Sequence, residues 1–594
     1  MNKISKKGLF ALVAAAAAIL MIMPAASVPT EGAVGEVQDK FVFGGSGYDI
    51  FMSVVPVSDG YVAVGNSTQF SSGDWAGMGA SGKGVSDGTI VKFDLEGSVV
   101  WAKNFGGSGE DHFLSVIEVS DGYVVFGYSN KIDRDWAKFG VKGKGVDDAV
   151  VVKFNKDGSV AWAKSFGGSG YDRFVSAAAV PGGFIAVGQT NTLDKDWAAQ
   201  GCTGKGGTDG AVVKFNNDGT VAWAKNFGGS VSDYFDAVIS VSDGFVVVGS
   251  SYGMNGDWTE FGLTTKGNGD GVIMKFNNDG TAVWANNFGG TGNDQFYAVT
   301  AIPGGYIVAG HSIKMDGDWM PYGLTLNGAY DGTLVRFDLN GTAVWAKNFG
   351  GSKDEYFRSL VTVPGGFIVS GFSNQPDGYW AANGISSMGG TDCIVMKLNG
   401  DGTVVWMNSF GGAGNDYFYG LAAIPGGCIA VGNVNPASFG NGDLTGVAGR
   451  GGSDAVLVVF SDGVFVSVTN ITGVPSSAKV GTELTLTGTV VPSDASSKTI
   501  VWSVKDAGST GATISGGKLS TTAAGTVVVT ATIAGGSTSS APFVKDFTIR
   551  VTETGDSGGS GMGDLPLLWI GLIAVIAIVL VGAAVFFMKG KKAK

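Results

Sequence analysis

Residues 153–170 read KFNKDGSVAWAKSFGGSG, and the fold is decided there. A strand ends at Phe154, Asn155-Lys156-Asp157-Gly158 makes a tight turn, and a second strand carries Trp162 up to Phe166-Gly167-Gly168. Asn and Asp followed by Gly between apolar runs is a hairpin signal with a backbone reason, since such turns need residues that tolerate positive φ. Working outward, Phe-Gly-Gly recurs at Phe43, Phe105, Phe166, Phe227, Phe288, Phe349 and Phe410, spaced 62 residues once and 61 thereafter. Two series of Trp keep that step. One runs from Trp101 to Trp406 just before Phe-Gly-Gly, the other from Trp75 to Trp380 in a long loop. A period of this length marks a repeat architecture.

Each unit predicts four short strands. In the second they are residues 113–119, 123–128, 148–154 and 159–166, with a loop of about twenty residues before the third. Four strands in each of seven units predict an all-β chain built as a seven-bladed β-propeller over residues 36–463. A helical solenoid is excluded, because no window keeps helical spacing. The seventh unit lacks a fourth strand, and residues 36–43 precede the first unit. That strand is expected to close blade seven and so remove two open sheet edges. It carries Asp39 where the others carry Trp, which predicts a less well packed seam.

Composition narrows the class. The chain has 594 residues, of which 101 are Gly, with 44% hydrophobic, 11% aromatic and 15% charged. Gly without a G-X-Y period beside this much apolar content excludes collagen and disorder. A net charge of −12 argues against nucleic acid as partner, and three Cys exclude a disulfide scaffold. Residues 1–27 read as a signal peptide, with Lys3, Lys6 and Lys7 ahead of an apolar stretch and Pro24-Ala25-Ala26-Ser27 at its end. An uncleaved N-terminal anchor is the other reading of that segment. Residues 567–588 carry no charge and are long enough for a transmembrane helix, about 33 Å at 1.5 Å per residue. Lys589, Lys591, Lys592 and Lys594 form a basic tail (589–594), which the positive-inside rule keeps cytoplasmic. Residues 554–566, rich in Gly and Ser, read as a flexible stalk. Asn66, Asn340 and Asn470 head three glycosylation sequons.

The block at 153–170 resembles the β-propeller repeats of secreted bacterial and archaeal cell-surface proteins, a likeness that extends over about residues 36–463. More distantly it resembles the tryptophan-docking repeats of quinoprotein propellers. The first resemblance implies a fold and a surface location but no activity, because propellers host unrelated functions. Beyond it, Asn470-Ile471-Thr472-Gly473-Val474, Leu484-Thr485-Leu486, Trp502 and Ala524-Gly525-Thr526-Val527-Val528 resemble the bacterial Ig-like domain of group two, over residues 467–553. That implies an Ig-like β-sandwich used as a spacer or adhesive unit.

Candidate chemistry repeats with the blades. Asp49, Asp111, Asp172, Asp233, Asp294, Glu355 and Asp416 stand six residues past each Phe, and Asp87, Asp148, Asp209, Asp270, Asp331, Asp392 and Asp454 precede each third strand. Asp49, Asp111, Asp172, Asp233, Asp294 and Asp416 are candidate Ca²⁺ ligands by their oxygen chemistry. The competing reading, that each accepts backbone N–H groups in its own turn, explains better why every blade has one. The loop Trp residues read either as sugar-stacking platforms or as clips for their own loops. His112 and His311, the only His, stand at non-equivalent positions, so no triad or metal cluster is built and no catalytic residue or cofactor is expected. The position after each rim acid diversifies: Ile50, His112, Arg173, Tyr234, Gln295, Tyr356 and Tyr417. Drift at an exposed position is one reading. A ligand surface formed by His112, Arg173, Tyr234, Gln295, Tyr356 and Tyr417 is the other.

These features predict a single-pass cell-membrane protein, bulk outside, that binds a surface protein or glycan without catalysis. The alternatives are an exported polysaccharide hydrolase or lyase and a structural surface-coat subunit. Protease added to intact cells is expected to release nearly the whole chain, while a tag placed after Lys594 stays protected. Protection of the repeat region would overturn the placement outside.

Overall fold

In the computed structural model, residues 35–553 are described, apart from 96, 425, 463–466, 493–494, 496 and 539–540. The expected signal peptide (1–27), stalk (554–566), transmembrane helix (567–588) and basic tail (589–594) lie outside the described residues. Among the described residues, no helix is long and apolar enough to cross a membrane.

The chain opens with β1 (Val37–Phe43), then β2 (Asp49–Val57), β3 (Gly60–Ser67), β4 (Asp87–Phe93) and β5 (Val99–Phe105). β2 to β5 pair in that order as an antiparallel sheet, and five further sheets repeat the pattern. The seventh sheet is assembled from both ends of the repeat region. Its strands Tyr417–Ile424, Gly427–Val434 and Asp454–Ser461 take β1 as their fourth member. Phe43 lies opposite Ala455, and Gly35 N–H donates to Ser461 O at 2.9 Å. The first strand of each sheet touches those of the sheets before and after it, and Tyr417–Ile424 returns to β2, so the seven close into a ring.

Burial follows from this stacking. Third strands such as β4 are buried along their whole length, because a neighbouring blade covers each face. The core clusters accordingly span two blades. Phe43, Phe51, Trp75 and Phe93 pack with Ile429 and Leu457 across the junction of first and last blade. First strands begin two residues earlier than the alternation predicts, at the rim acid itself (Asp111–Val119), because that acid pairs with the end of the second strand. The long loops of the first six blades contain one short helical turn each, such as Asp135–Lys138, which carries the loop Trp, and that of blade seven contains two.

The turn quoted at the outset makes the seam between blades. Trp101 of β5 donates its indole N–H to Lys156 O, in the turn of the next blade, at 3.2 Å. Gly158 in that turn has φ +80°, and a Cβ there would sit 3.0 Å from the Trp101 ring, so only glycine suits. At the closing seam the expected loss of packing does not occur. Phe41, two residues past Asp39, takes the ring position, and a Cβ on Gly97 would fall 2.0 Å from it. Alternate residues of a strand share a face, which is why the substitution works at that offset.

A second compact unit begins at Ser467. It holds three small sheets, the largest ordered Ser477–Lys479, Ala541–Thr552, Gly525–Thr538, Val501–Asp506. Leu519, Val527, Val529 and Ile549 form its apolar centre, with Trp502 and Phe547 in ring contact at 5.9 Å.

Deleting residues 36–43 is expected to leave Asp454–Ser461 as a free edge and to cause aggregation. The milder Phe43→Ala should cost about 3–5 kcal/mol, since that ring is fully buried. An unchanged denaturation midpoint for Phe43→Ala would refute this closure.

Candidate ligand-binding site at the end of the central axis

The rim acids hold their own blades. Asp49, Asp111, Asp172, Asp233 and Asp294 each accept the indole N–H of the loop Trp of the same blade at 2.7–2.9 Å. The second carboxyl oxygen accepts the N–H of the second Gly in Phe-Gly-Gly, at 2.7–2.9 Å, in all seven blades. The indole is then wedged against the Phe of the same motif. Phe43, Phe105, Phe166 and Phe288 meet Trp75, Trp136, Trp197 and Trp319 edge to face at 4.6 Å. Blade six substitutes Glu355, whose longer side chain takes the Ser373 hydroxyl instead. Blade seven lacks the loop Trp, and Ser438 donates its hydroxyl to Asp416.

This geometry bears on the two readings of the acids and of the loop Trp residues. The Ca²⁺ candidates Asp49, Asp111, Asp172, Asp233, Asp294 and Asp416 are buried and face hydrogen-bond donors of their own loops. Among the described residues, no three His, Cys, Asp or Glu side chains converge to hold a metal ion. The loop Trp residues are buried to within 1% and cannot stack on a sugar.

The second acid series sits beside the first, one blade back. A Cβ on Gly106 would lie 2.4 Å from Asp111 Oδ2 and 3.2 Å from Asp87 Oδ1, so the first Gly passes between carboxyls of adjoining blades. Burial, reinforced by the facing acid, pushes the rim carboxyls up: Asp111 and Asp294 to about 7, Asp172 and Asp233 to about 6, Glu355 to about 8.

The residues after the rim acids divide into two groups. His112 stacks on Tyr128 at 4.8 Å, and Arg173 packs over the same ring at 4.2 Å. Arg173 is already committed, with Nε and Nη2 on Asp147 at 2.8 and 2.5 Å. Tyr234 meets Tyr252 edge-on at 6.2 Å, and Gln295 donates to the Tyr252 hydroxyl at 3.1 Å. Gln295, Tyr356 and Tyr417 line a cleft of about 500 Å³ with Tyr252, Tyr297, His311, Tyr330, Arg358 and Phe372. Its rings are in contact: Tyr330 with Tyr356 at 5.4 Å, Tyr356 with Phe372 at 5.1 Å, Phe372 with Tyr417 at 4.9 Å. His112, Arg173 and Tyr234 are not part of it.

Sequence reasoning missed the second ring of this site. Every first strand has a β-bulge at the third residue past the acid–Phe pair's start, leaving Met52, Leu114, Val175, Asp236, Tyr297, Arg358 and Tyr419 unpaired in the ladder. A bulge re-aims its side chain, and here it does so on the innermost strands. Blades one to three place apolar side chains there, and blades four to seven place Asp, Tyr, Arg and Tyr. The signal was present in the sequence as a second diversifying position beside a constant Phe. The Arg358 guanidinium lies 4.1 Å from the Tyr297 ring centre and 5.4 Å from that of Tyr356. Burial pushes His311 down to about 3, so it is neutral, and raises Asp236 to about 7 against the opposing effect of Arg358.

No known family model matches the sequence, and no characterised protein matches it. Among solved structures it is similar to the extracellular domain of a hybrid two-component system from B. thetaiotaomicron, at 10% identity and TM-score 0.36, over 87% of this chain and 60% of that one. It is also similar to a 6-phosphogluconolactonase from Bacteroides uniformis, at 12% identity and TM-score 0.33, over 62% and 90%. A Trypanosoma rangeli sialidase matches at 10% identity and TM-score 0.29, over 73% and 57%. The chain thus spans about 60% of the length of the first of these. Likeness of this degree says nothing about activity.

The raised carboxyls predict an unusual pH response. Each binds its proton more tightly folded than unfolded, so stability is lost as pH rises through the folded values near 6 to 8. Neutral His311 acts oppositely, but only below its ordinary value of 6.5. The melting temperature is therefore expected to fall by several degrees from pH 6.5 to 8.5, and less so in Glu355→Gln. A flat or rising profile would mean that these acids are ionised in the fold.

Proposed function

We propose that the protein is a membrane-anchored cell-surface protein that binds a glycan or protein outside the cell through its propeller, without catalysis. The aromatic cleft carries this reading. Seven ring side chains and a guanidinium gather at one end of the central axis, where the blade motif otherwise repeats. Aromatic and Arg side chains around a concave site are what recognition surfaces use. Residues 467–553 then serve as an Ig-like spacer, residues 554–566 as a stalk and residues 567–588 as the anchor. The sheets of the second unit and the uncharged C-terminal stretch support those roles.

The polysaccharide-cleaving alternative needs two carboxyl groups flanking a bond. The fourteen recurrent acids are engaged in holding loops and seams, which favours binding over cleavage. The full-length protein should capture a ligand on a glycan array or in a pull-down, and Tyr356→Ala with Tyr417→Ala should weaken it at least about tenfold. Binding that ignores this pair in a folded variant would move the site elsewhere. Turnover on a polysaccharide panel would replace binding by catalysis.

A further inference from the structure

Arg358 is the charged group among three in the cleft, with His311 and Asn293, that keep a buried polar atom without a partner. It occupies the bulge of Glu355–Val363, and three rings hold its planar head: Tyr297 at 4.1 Å, Tyr356 at 5.4 Å and Phe372 at 5.7 Å. It has no hydrogen-bond or ion-pair partner among the described residues, and its Nε is buried unpaired. A guanidinium offers five N–H donors in a fixed fork, and burying them unmet is costly. Arg173, which follows the rim acid of the third blade, shows the ordinary solution, with Nε and Nη2 both donating to one oxygen of Asp147. Arg358 has its aromatic support and feels the charge of buried Asp236, but it has no carboxylate within hydrogen-bond reach among the described residues.

We infer that the missing carboxylate belongs to the ligand, and that the cleft takes a carboxylate-bearing sugar of the uronate class. This rests on the binding reading above and names its ligand. The fork of Arg358 matches a carboxylate in two parallel hydrogen bonds. Tyr330 and Tyr417 offer ring faces for the apolar side of a pyranose, and Asn293, whose Oδ1 is buried without a partner, offers an amide to its hydroxyl groups. A cationic ligand is disfavoured because the guanidinium already holds the place over the rings that an ammonium would seek. A bare small anion would leave most of a cleft of about 500 Å³ empty. Asp354 at the rim and the net charge of −12 disfavour a dense polyanion, so one carboxylate on a sugar ring suits better than an acidic peptide.

The test uses the full-length protein with galacturonate and digalacturonate, their methyl esters and poly-glutamate, read by calorimetry. The acid form is expected to bind at least about tenfold more tightly than the ester, and poly-glutamate weakly. Arg358→Met should bring acid and ester level, and Arg358→Lys, which keeps the charge without the fork, should retain only part of the preference. Thermal melting of each variant establishes that it is folded, and Arg358→Lys serves if Arg358→Met is not. Equal binding of acid and ester, a preference that survives loss of Arg358, poly-glutamate binding as well as the sugar, or no binding by any probe would each overturn the inference. A neutral glycan lost with Tyr356 and Tyr417 would sink this inference and keep the binding reading. A ligand indifferent to both changes would sink both.

Discussion

The whole ring depends on one buried hydrogen-bonded unit, a carboxyl group held between an indole N–H and a glycine amide. Asp111 ties the loop Trp136 to the Gly107 backbone, so one side chain fastens the long loop of its blade to the segment arriving from the previous blade. A buried carboxyl without partners would be costly; with several donors it becomes a fixed point. The Phe of the same motif closes over the indole edge to face, and the first Gly passes between two carboxyls because nothing larger fits. Phe, Gly, Gly, acid and Trp are therefore one device spread over about thirty residues, which is why they recur together.

Where the device changes, its logic is visible. Blade six lengthens the acid to Glu355 and replaces the indole donor with Ser373, leaving the Trp380 N–H without a partner. Blade seven has no loop Trp, and Ser438 with the Asn435 amide supplies the donors to Asp416. The constant requirement is a satisfied carboxyl at the seam, not a particular donor. The same tolerance appears at closure, where Phe41 fills the place of a Trp from two residues away.

With stability assigned to this device, variation is confined to positions it does not use. The residue after the acid, its partner on the second strand and the bulged residue of the first strand mix aromatic, charged and amide side chains, and members of each set line the cleft. The distribution is lopsided. Blades one to three keep Met52, Leu114 and Val175 at the bulge, while blades four to seven supply Asp236, Tyr297, Arg358 and Tyr419. A near-symmetric scaffold thus carries an asymmetric cleft, built from side chains alone on a repeated backbone.

The sequence alone determined the blade count, the four strands of each blade, the pairing expected between its two ends and the seams made by Trp101 and its equivalents. These follow from periodicity, turn chemistry and the need to leave no sheet edge open, all of which are local or count-based. It also marked Gln295, Tyr356 and Tyr417 as variable rim residues. It could not decide between the two roles open to the rim acids and loop Trp residues, because a carboxylate that holds an indole and one that awaits a cation are spelled alike. Nor could it show that Arg173 meets Asp147 while Arg358 meets only rings, or that a β-bulge re-aims Arg358 and Tyr297. Those outcomes depend on which side chains from different blades share a few ångströms of space, and only the closed ring sets those distances.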